Sequence, residues 1–327
     1  MSKIRIAQIG TSRYSHGNFI FDALKKSPDI FEIAGYAMPE GEETKFPENM
    51  AAFQGFPRLT VEEICKDPGI QAVAVETEEC FLTKYALLAA RAGKHIHMEK
   101  PGSDDVEAFD TLIDTVKAHG TVFHTGYMYR YNPFVQDLMA RIRRGELGEI
   151  LGVEAQMNTL HPPELRRWLG MYPGGSMFFL GCHLIDLILQ IQGLPERILP
   201  LNKSTGLDGV IAEDFCMAVL EYPRGVSFAK VNSTEVGGFA RRQLVVAGSL
   251  KTVELKPFEV ILGADQRTTR TEFTQQGQFS EETPLYNRYA PMMRAFGEMV
   301  QGKRENPWPY EYERTLYHTV LQCCNLL

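Results

Sequence analysis

The sequence predicts an α/β chain in two parts. Residues 1–125 read as a doubly wound parallel sheet, and residues 126–327 as a second α/β part built on a large, open, mostly antiparallel sheet. Three observations carry this. Up to about residue 125, short apolar runs alternate with helical-period segments, the pattern of parallel strands joined by crossover helices. From Glu149 the strands lengthen and are joined by turns, and Tyr222-Pro223-Arg224-Gly225 reads as a hairpin turn between two of them. The length, 327 residues, suits two domains at about 100–200 residues each.

Taken in order, Lys3 to Ile9 is the first expected strand, followed by a loop from Gly10 and a helix from Gly17 to Lys26. Phe31 to Ala37 is the second strand. Thr60 with Glu63 makes a capping box that opens a short helix, and Ile70 to Val75 is the third strand. The next helix carries Phe81, Tyr85, Leu88 and Ala92 at helical spacing and stops at Gly93. His95 to Met98 follows as a strand, with Glu99-Lys100-Pro101 leaving its carboxyl end. Ser103 is the expected N-cap of a helix whose inner face is Val106, Phe109, Ile113 and Val116, ahead of a strand at Thr121 to His124. Asn132-Pro133 caps another helix that ends at Gly145. In the second part, strands are expected at Ile150 to Asn158, Glu213 to Tyr222, Val226 to Ser233, Gln243 to Ala247 and Thr252 to Leu255. A strongly apolar helix spans Cys182 to Gln192, and helical segments at Leu285 to Val300 and Tyr310 to Leu327 close the chain and are expected to pack back on the first part.

Composition narrows the function. The chain is 44% hydrophobic and 23% charged, and 34 Lys and Arg against 41 Asp and Glu leave a net charge of -7. This is a soluble-globular composition without a basic footprint for nucleic acid, and no apolar run approaches the roughly 18 residues of a membrane span. Met1 to Gly10 lacks a secretory cleavage pattern and reads as a strand. Six scattered cysteines make no CxxC pair or zinc spacing, so neither a disulfide framework nor a metal is expected, and a cytoplasmic location fits.

In a doubly wound sheet, ligands bind beyond the carboxyl ends of the strands. The loop Gly10-Thr11-Ser12-Arg13-Tyr14-Ser15 has only the first glycine of a dinucleotide fingerprint, with Ser12 and Ser15 at the other two positions. The helix that follows still favours an anion at its N-terminus. The second strand ends Ala37-Met38-Pro39-Glu40, so the acidic residue for an adenosine ribose is Glu40 only if the loop curls back. Lys100, flanked by Glu99 and Pro101 at a sheet edge, can be desolvated and drawn into acid–base work, or lie on the surface. His183, with Asp186 one turn on, can move a proton near neutral pH, or be a hydrogen-bonded core histidine. His95 and His97 share one strand face but lack a third ligand at usable spacing. Tyr127, Tyr129, Arg130, Asn158, Arg167 and Trp168 suit a sugar-sized cleft, and equally core packing.

Several motifs fall in a recognisable order. They are Ala92-Gly93-Lys94-His95 leading into Glu99-Lys100-Pro101, Gly126-Tyr127-Met128-Tyr129-Arg130-Tyr131-Asn132-Pro133, Gly145-Glu146-Leu147-Gly148-Glu149-Ile150, Gly174-Gly175, Gly181-Cys182-His183-Leu184-Ile185-Asp186 and Val246-Ala247-Gly248-Ser249. With these the whole chain resembles the Gfo/Idh/MocA family, named for glucose-fructose oxidoreductase, inositol dehydrogenase and a rhizopine-catabolism protein. The resemblance implies an N-terminal Rossmann domain and a C-terminal α/β domain whose open sheet makes subunit contacts. It also implies NAD or NADP, with NAD slightly favoured, held in the cleft between the domains by Gly10, Thr11, Ser12, Arg13, Tyr14, Thr77, Glu99, Lys100 and Met128. It implies that Lys100 meets the reacting hydroxyl and that His183 acts in proton transfer, with Tyr127, Asn158 and Trp168 joining them around a sugar or polyol.

Departures from the family pattern are equally specific. An aspartate often stands four residues before the histidine, where this chain has Phe179. A Thr-Pro-Asn-x-x-His stretch is here Thr77-Glu78-Glu79-Cys80-Phe81-Leu82, and its added carboxylates oppose a dinucleotide's phosphates unless Arg13 or another cation offsets them. The expected function is an NAD(P)-dependent oxidoreductase of sugar-type alcohols. The alternatives are a ligand-sensing or regulatory protein on the same scaffold, and a sugar elimination or cleavage assisted by a retained cofactor. A homodimer or homotetramer is expected, since apolar residues on both faces of Glu213 to Tyr222 need covering.

Overall fold

The computed structural model describes residues 3–14 and 16–327. Met1, where the N-terminal reading begins, and Ser15, the third fingerprint position, lie outside the described residues. The chain divides into two compact units, Met1–Tyr127 with Tyr289–Tyr317, and Met128–Arg288 with His318–Leu327.

In the first unit, β1 (Ile4–Ile9), α1 (Gly17–Lys25), β2 (Phe31–Ala37), α2 (Glu42–Lys45), α3 (Val61–Lys66), β3 (Ala72–Val75), α4 (Glu79–Arg91), β4 (His95–Met98), α5 (Val106–His119) and β5 (Phe123–Thr125) follow in order. The five strands form one parallel sheet ordered β2-β1-β3-β4-β5. Tyr36 on β2 also makes an isolated parallel bridge to Arg58. Counting that bridge as an outer strand gives the 3-2-1-4-5-6 order of a doubly wound dinucleotide fold. The order therefore reverses between β1 and β3, and the crevice where ligands bind opens beyond their carboxyl ends. All four residues of β3 are buried, as a strand covered on both faces requires.

Local chemistry sets the helix boundaries. Thr60 Oγ1 accepts the Glu63 N–H at 3.1 Å while Glu63 Oε2 accepts the Thr60 N–H at 2.7 Å, the expected capping box of α3. α5 starts later than expected, because Asp105, not Ser103, accepts the Ala108 N–H, at 2.9 Å. Ser103 is used elsewhere: its N–H donates to Thr83 Oγ1 and its carbonyl accepts the Tyr317 hydroxyl. The buried face of α4 is Leu82, Tyr85, Ala86, Ala89 and Ala90. That corrects the expected stripe, since Leu88 is exposed and the Phe81 ring is covered from outside by the Lys45 and Lys84 ammonium groups.

In the second unit come α6 (Pro133–Arg143), β6 (Ile150–Gln156), α7 (Pro163–Leu169), α8 (Cys182–Gln192), β7 (Arg197–Lys203), β8 (Phe215–Tyr222), β9 (Gly225–Asn232), β10 (Gln243–Gly248), β11 (Thr252–Leu255), β12 (Val260–Leu262), β13 (Asp265–Arg267), β14 (Thr269–Thr274), β15 (Gly277–Glu282) and β16 (Tyr286–Asn287). Eight strands form a sheet ordered β15-β14-β11-β10-β6-β9-β8-β7, antiparallel except where β6 meets β9. Tyr222 pairs with Gly225, so the hairpin forms where the turn residues place it. β7 was not expected; Pro200 disguises it, and it is tolerated because β7 is an edge strand. The apolar α8 lies against β6 and β9 and is entered through one π-turn, Met177–Gly181. Two helices follow, α9 (Ala290–Val300), which belongs to the first unit, and α10 (Tyr310–Cys323), whose residues up to Tyr317 belong to the first unit and the rest to the second. Among the described residues, no helix is long and apolar enough to cross a membrane.

Candidate functional site

The first cluster lies at the switch point of the parallel sheet. Gly10 turns the chain out of β1 with φ +87°, a conformation open to glycine, and a Cβ there would lie 2.4 Å from Thr77 Cγ2. Gln8 Nε2 donates to the carbonyls of Gly10 and Gly17, tying the loop to the start of α1. The Thr11 N–H donates to Glu42 Oε2 at 2.9 Å, and the Glu78 N–H donates to Glu42 Oε1 at 3.1 Å. Asn49 Nδ2 donates to Thr11 Oγ1 and to the Ser12 carbonyl. Thr11, Ser12 and Thr77 are buried, whereas Arg13 points outward with its guanidinium 5.8 Å from the Tyr14 ring centre. Glu40 does curl, with φ +56°, but its Oε1 accepts the Tyr85 hydroxyl and the Lys84 ammonium, both at 2.6 Å. The cation beside Glu78 is Lys45, at 3.4 Å.

One strand further, Glu99 and Lys100 leave β4. Both are buried, with Lys100 Nζ 3.4 Å from Glu99 Oε1. Burial raises the Glu99 carboxyl to about 7 against the pull of Lys100. Glu76, at the end of β3, is fully buried; its carboxyl stands well above the usual range because of burial and the Glu79 charge, with Lys100 opposing. His97 Nε2 lies 3.4 Å from Glu76 Oε1, and its Nδ1 shares a hydrogen bond with His124 Nδ1 at 2.7 Å. His95 Nδ1 instead accepts the Val122 N–H. Among the described residues, no group of three or more His, Cys, Asp or Glu is arranged to hold a metal ion. Tyr127 is buried close after β5, its N–H donating to the Thr125 carbonyl.

The second cluster belongs to the other unit. His183, 6% exposed, sits in the first turn of α8, and the Tyr129 ring meets it edge-on with centres 5.0 Å apart. The Tyr129 hydroxyl donates to Glu259 Oε1 at 2.6 Å, and Arg242 and Arg288 both pair with the Glu259 carboxylate. Burial works to raise the Glu259 carboxyl, but Arg288 and Arg242 outweigh it and hold it below its ordinary value. Burial and then Glu259 push the Tyr129 phenol upward. Asn158 is buried beside them: its Oδ1 accepts the Asn232 N–H and its carbonyl accepts from Arg242 Nε. Met128 is buried. The Trp168 ring packs edge-on against Tyr172 and against Phe179, so Phe179 stands as an aromatic wall where the family pattern has a carboxylate. Arg167 reaches the Asp208 carbonyl at the surface.

The sequence reading missed Glu42, Glu259 and Arg242. Tyr129 and Glu259 are 130 residues apart, and no local spacing links them. Glu42 carried a signal only as one carboxylate among several after β2.

A dinucleotide would meet two different surroundings in the first unit. Around Thr77, Glu99 and Lys100, polar groups edge the carboxyl ends of β3 and β4, which fits a nicotinamide riboside. At the loop after β1 the fit fails as the residues stand, because the backbone donors face Glu42.

Comparisons with known proteins agree with this architecture. An oxidoreductase family described as an NAD-binding Rossmann fold matches residues 4–127, and the GFO/IDH/MocA C-terminal domain matches residues 135–254. An uncharacterised oxidoreductase of Rhizobium meliloti is 32% identical over 60% of this chain and 59% of its own length. The scyllo-inositol 2-dehydrogenase (NADP(+)) of Bacillus subtilis is 25% identical over 67% of this chain and 61% of its own. The match thus spans about three fifths of the length of these two relatives. The solved UDP-N-acetylglucosamine 3-dehydrogenase of Acidithiobacillus ferrooxidans superposes with a TM-score of 0.76 at 20% identity, covering 100% of this chain and 98% of that one, a likeness of fold. Both family matches and the motifs at Lys100 and His183 lead to one conclusion: the chain belongs to the Gfo/Idh/MocA family of NAD(P)-binding oxidoreductases.

Proposed function

We propose that the chain exchanges a hydride between NAD or NADP and a secondary alcohol of a sugar, polyol or sugar derivative, with Lys100 and His183 handling the proton. The observation that carries this reading is Lys100 itself: 4% exposed, paired with Glu99 at 3.4 Å, at the carboxyl end of β4. A buried lysine at the carboxyl edge of the sheet supports a ligand-facing role.

When bound, the nicotinamide supplies or accepts the hydride. The protein's share is the proton, which must leave the hydroxyl as the carbonyl forms. The Lys100 ammonium donates a hydrogen bond to the reacting oxygen and stabilises charge developing on it. His183, with its ring braced by Tyr129, takes or returns the proton. Tyr127, Asn158 and Trp168 are assigned to the substrate set, and Gly10, Thr11, Ser12, Arg13, Tyr14, Thr77, Glu99 and Met128 to the cofactor set, the loop after β1 serving only once Glu42 has left its backbone donor. The substrate class is supported by the relatives, which include a scyllo-inositol 2-dehydrogenase and a 1,5-anhydro-D-fructose reductase. The reading extends to a cytoplasmic location and to a homodimer or homotetramer, the assembly supported by Leu199 and Leu201, each 43% exposed on edge strand β7. Lys100→Met on an identified substrate should lower kcat by about 100-fold or more. Full turnover by that variant would overturn the mechanism.

A second reading, a ligand-binding protein without turnover, is favoured by one observation, the Glu42 carboxylate bonded to the loop after β1. It predicts sugar binding with no product.

A further inference from the structure

Glu42 occupies the crevice that the topology reserves for a ligand. Its two carboxylate oxygens accept N–H groups from opposite sides of the switch point: Thr11, after β1, and Glu78, at the N-terminus of the 13-residue α4. Backbone donors at such a place are the usual partners of an anionic ligand. Glu42 has no exposed surface, and Oε2 lies 2.8 Å from where a Cβ on Gly10 would stand, so the loops close tightly around it. The stretch that delivers it is fixed in place. Phe46 and Phe53 are buried, and Asn49 bonds Thr11 and Ser12. Burial raises the carboxyl to about 8, against the two N–H groups.

We propose that Glu42 is an internal competitor for the dinucleotide's phosphates: it fills their seat, and a dinucleotide binds only after this side chain has swung out. This rests on the reading of NAD or NADP as the cofactor. Apparent affinity is then the intrinsic affinity reduced by the fraction of chains with the seat open. Above about pH 8, where Glu42 is ionised, its charge also repels the diphosphate before it arrives.

The test is titration calorimetry of the full chain with NAD+, NADH, NADP+ and NADPH, and separately with adenosine, comparing wild type, Glu42→Ala and Glu42→Gln. Circular dichroism establishes that each variant is folded, and if Glu42→Ala is not, Glu42→Gln decides. The proposal expects dinucleotide affinity to rise at least about tenfold on removing the carboxylate, with adenosine affinity unchanged. Equal dinucleotide affinity in all three proteins overturns it and leaves the cofactor reading standing. Weaker binding in the variants also overturns it, and makes Glu42 a ligand-holding residue. A gain for adenosine equal to that for dinucleotide overturns it as a mere loosening of the pocket. If none of the three proteins binds any dinucleotide, the cofactor reading falls with it.

Discussion

Arg130 grips Asp186 through two parallel hydrogen bonds, Nε to Oδ2 at 3.0 Å and Nη2 to Oδ1 at 2.8 Å, with both side chains out of contact with solvent. Gln190 Nε2 adds a third bond to Oδ2. Asp186 lies one turn beyond His183 on α8, so this grip fixes the helix that carries the proposed proton-transfer group. Removing one partner strands a buried charge. Asp186→Ala or Arg130→Ala should each lower unfolding free energy by about 3–5 kcal/mol. Urea denaturation measures this, and a loss under about 1 kcal/mol for both would show that the pair is not what holds α8.

Stability should fall as pH rises from 6.5 to 8. The folded-state carboxyls of Glu42 and Glu99 stand at about 8 and about 7, against an ordinary 4.5. Between those values the folded chain keeps protons that the unfolded chain has released, so their contribution is full below about 4.5 and is lost as pH passes through 7 and 8. Each proton contributes a slope of up to about 1.4 kcal/mol per pH unit. His97 and His161 are both lowered to about 4 by burial, and they act below 6.5, outside this window. Denaturation at pH 6.5, 7.2 and 8 should show the fall, and Glu42→Gln should flatten it. A wild-type chain that gains stability across this range would contradict the assignment.

Gly175 should tolerate no side chain. It holds φ +47° ahead of the π-turn leading to His183, and a Cβ would sit 2.4 Å from the Glu213 carbonyl oxygen. Gly175→Ala should cost about 1–3 kcal/mol. Gly120, also at positive φ but with open space where its Cβ would be, is the control. Gly120→Ala should cost less in the same urea titration, and the reverse order would refute the steric argument.

The capping box at α3 should contribute separately. Thr60→Ala removes the oxygen that accepts the Glu63 N–H and should cost about 1 kcal/mol. Its effect should add to that of Gly120→Ala within about 0.5 kcal/mol if the sites are independent, which a double variant measures.

How much of this was legible in the sequence depended on the range of the interactions involved. The capping box of α3, the span of α8 and the hairpin at Tyr222 are set by neighbours within a few residues, and the sequence carries them. The start of α5 was misread because Ser103, Asp104 and Asp105 are all competent caps, and Asp105 is the one whose side chain accepts the Ala108 N–H. Strands β12 to β16 were missed because they are short or polar pieces with little periodic signal. Of the proposed site residues, Lys100 and His183 were visible through their motifs. The bonds that tie Tyr129 to Glu259, and Thr11 to Glu42, form only when distant segments meet, and no spacing rule exposes them.

The most direct measurement of the central claim is net formation of reduced nicotinamide when the purified chain is given NAD+ or NADP+ with a panel of sugars and polyols. It is followed by ultraviolet absorbance, with the carbonyl product quantified by mass spectrometry. The account predicts at least one substrate for which reduced dinucleotide and carbonyl product accumulate in equal amounts. Binding of a sugar with neither product formed, under both cofactors, would contradict it.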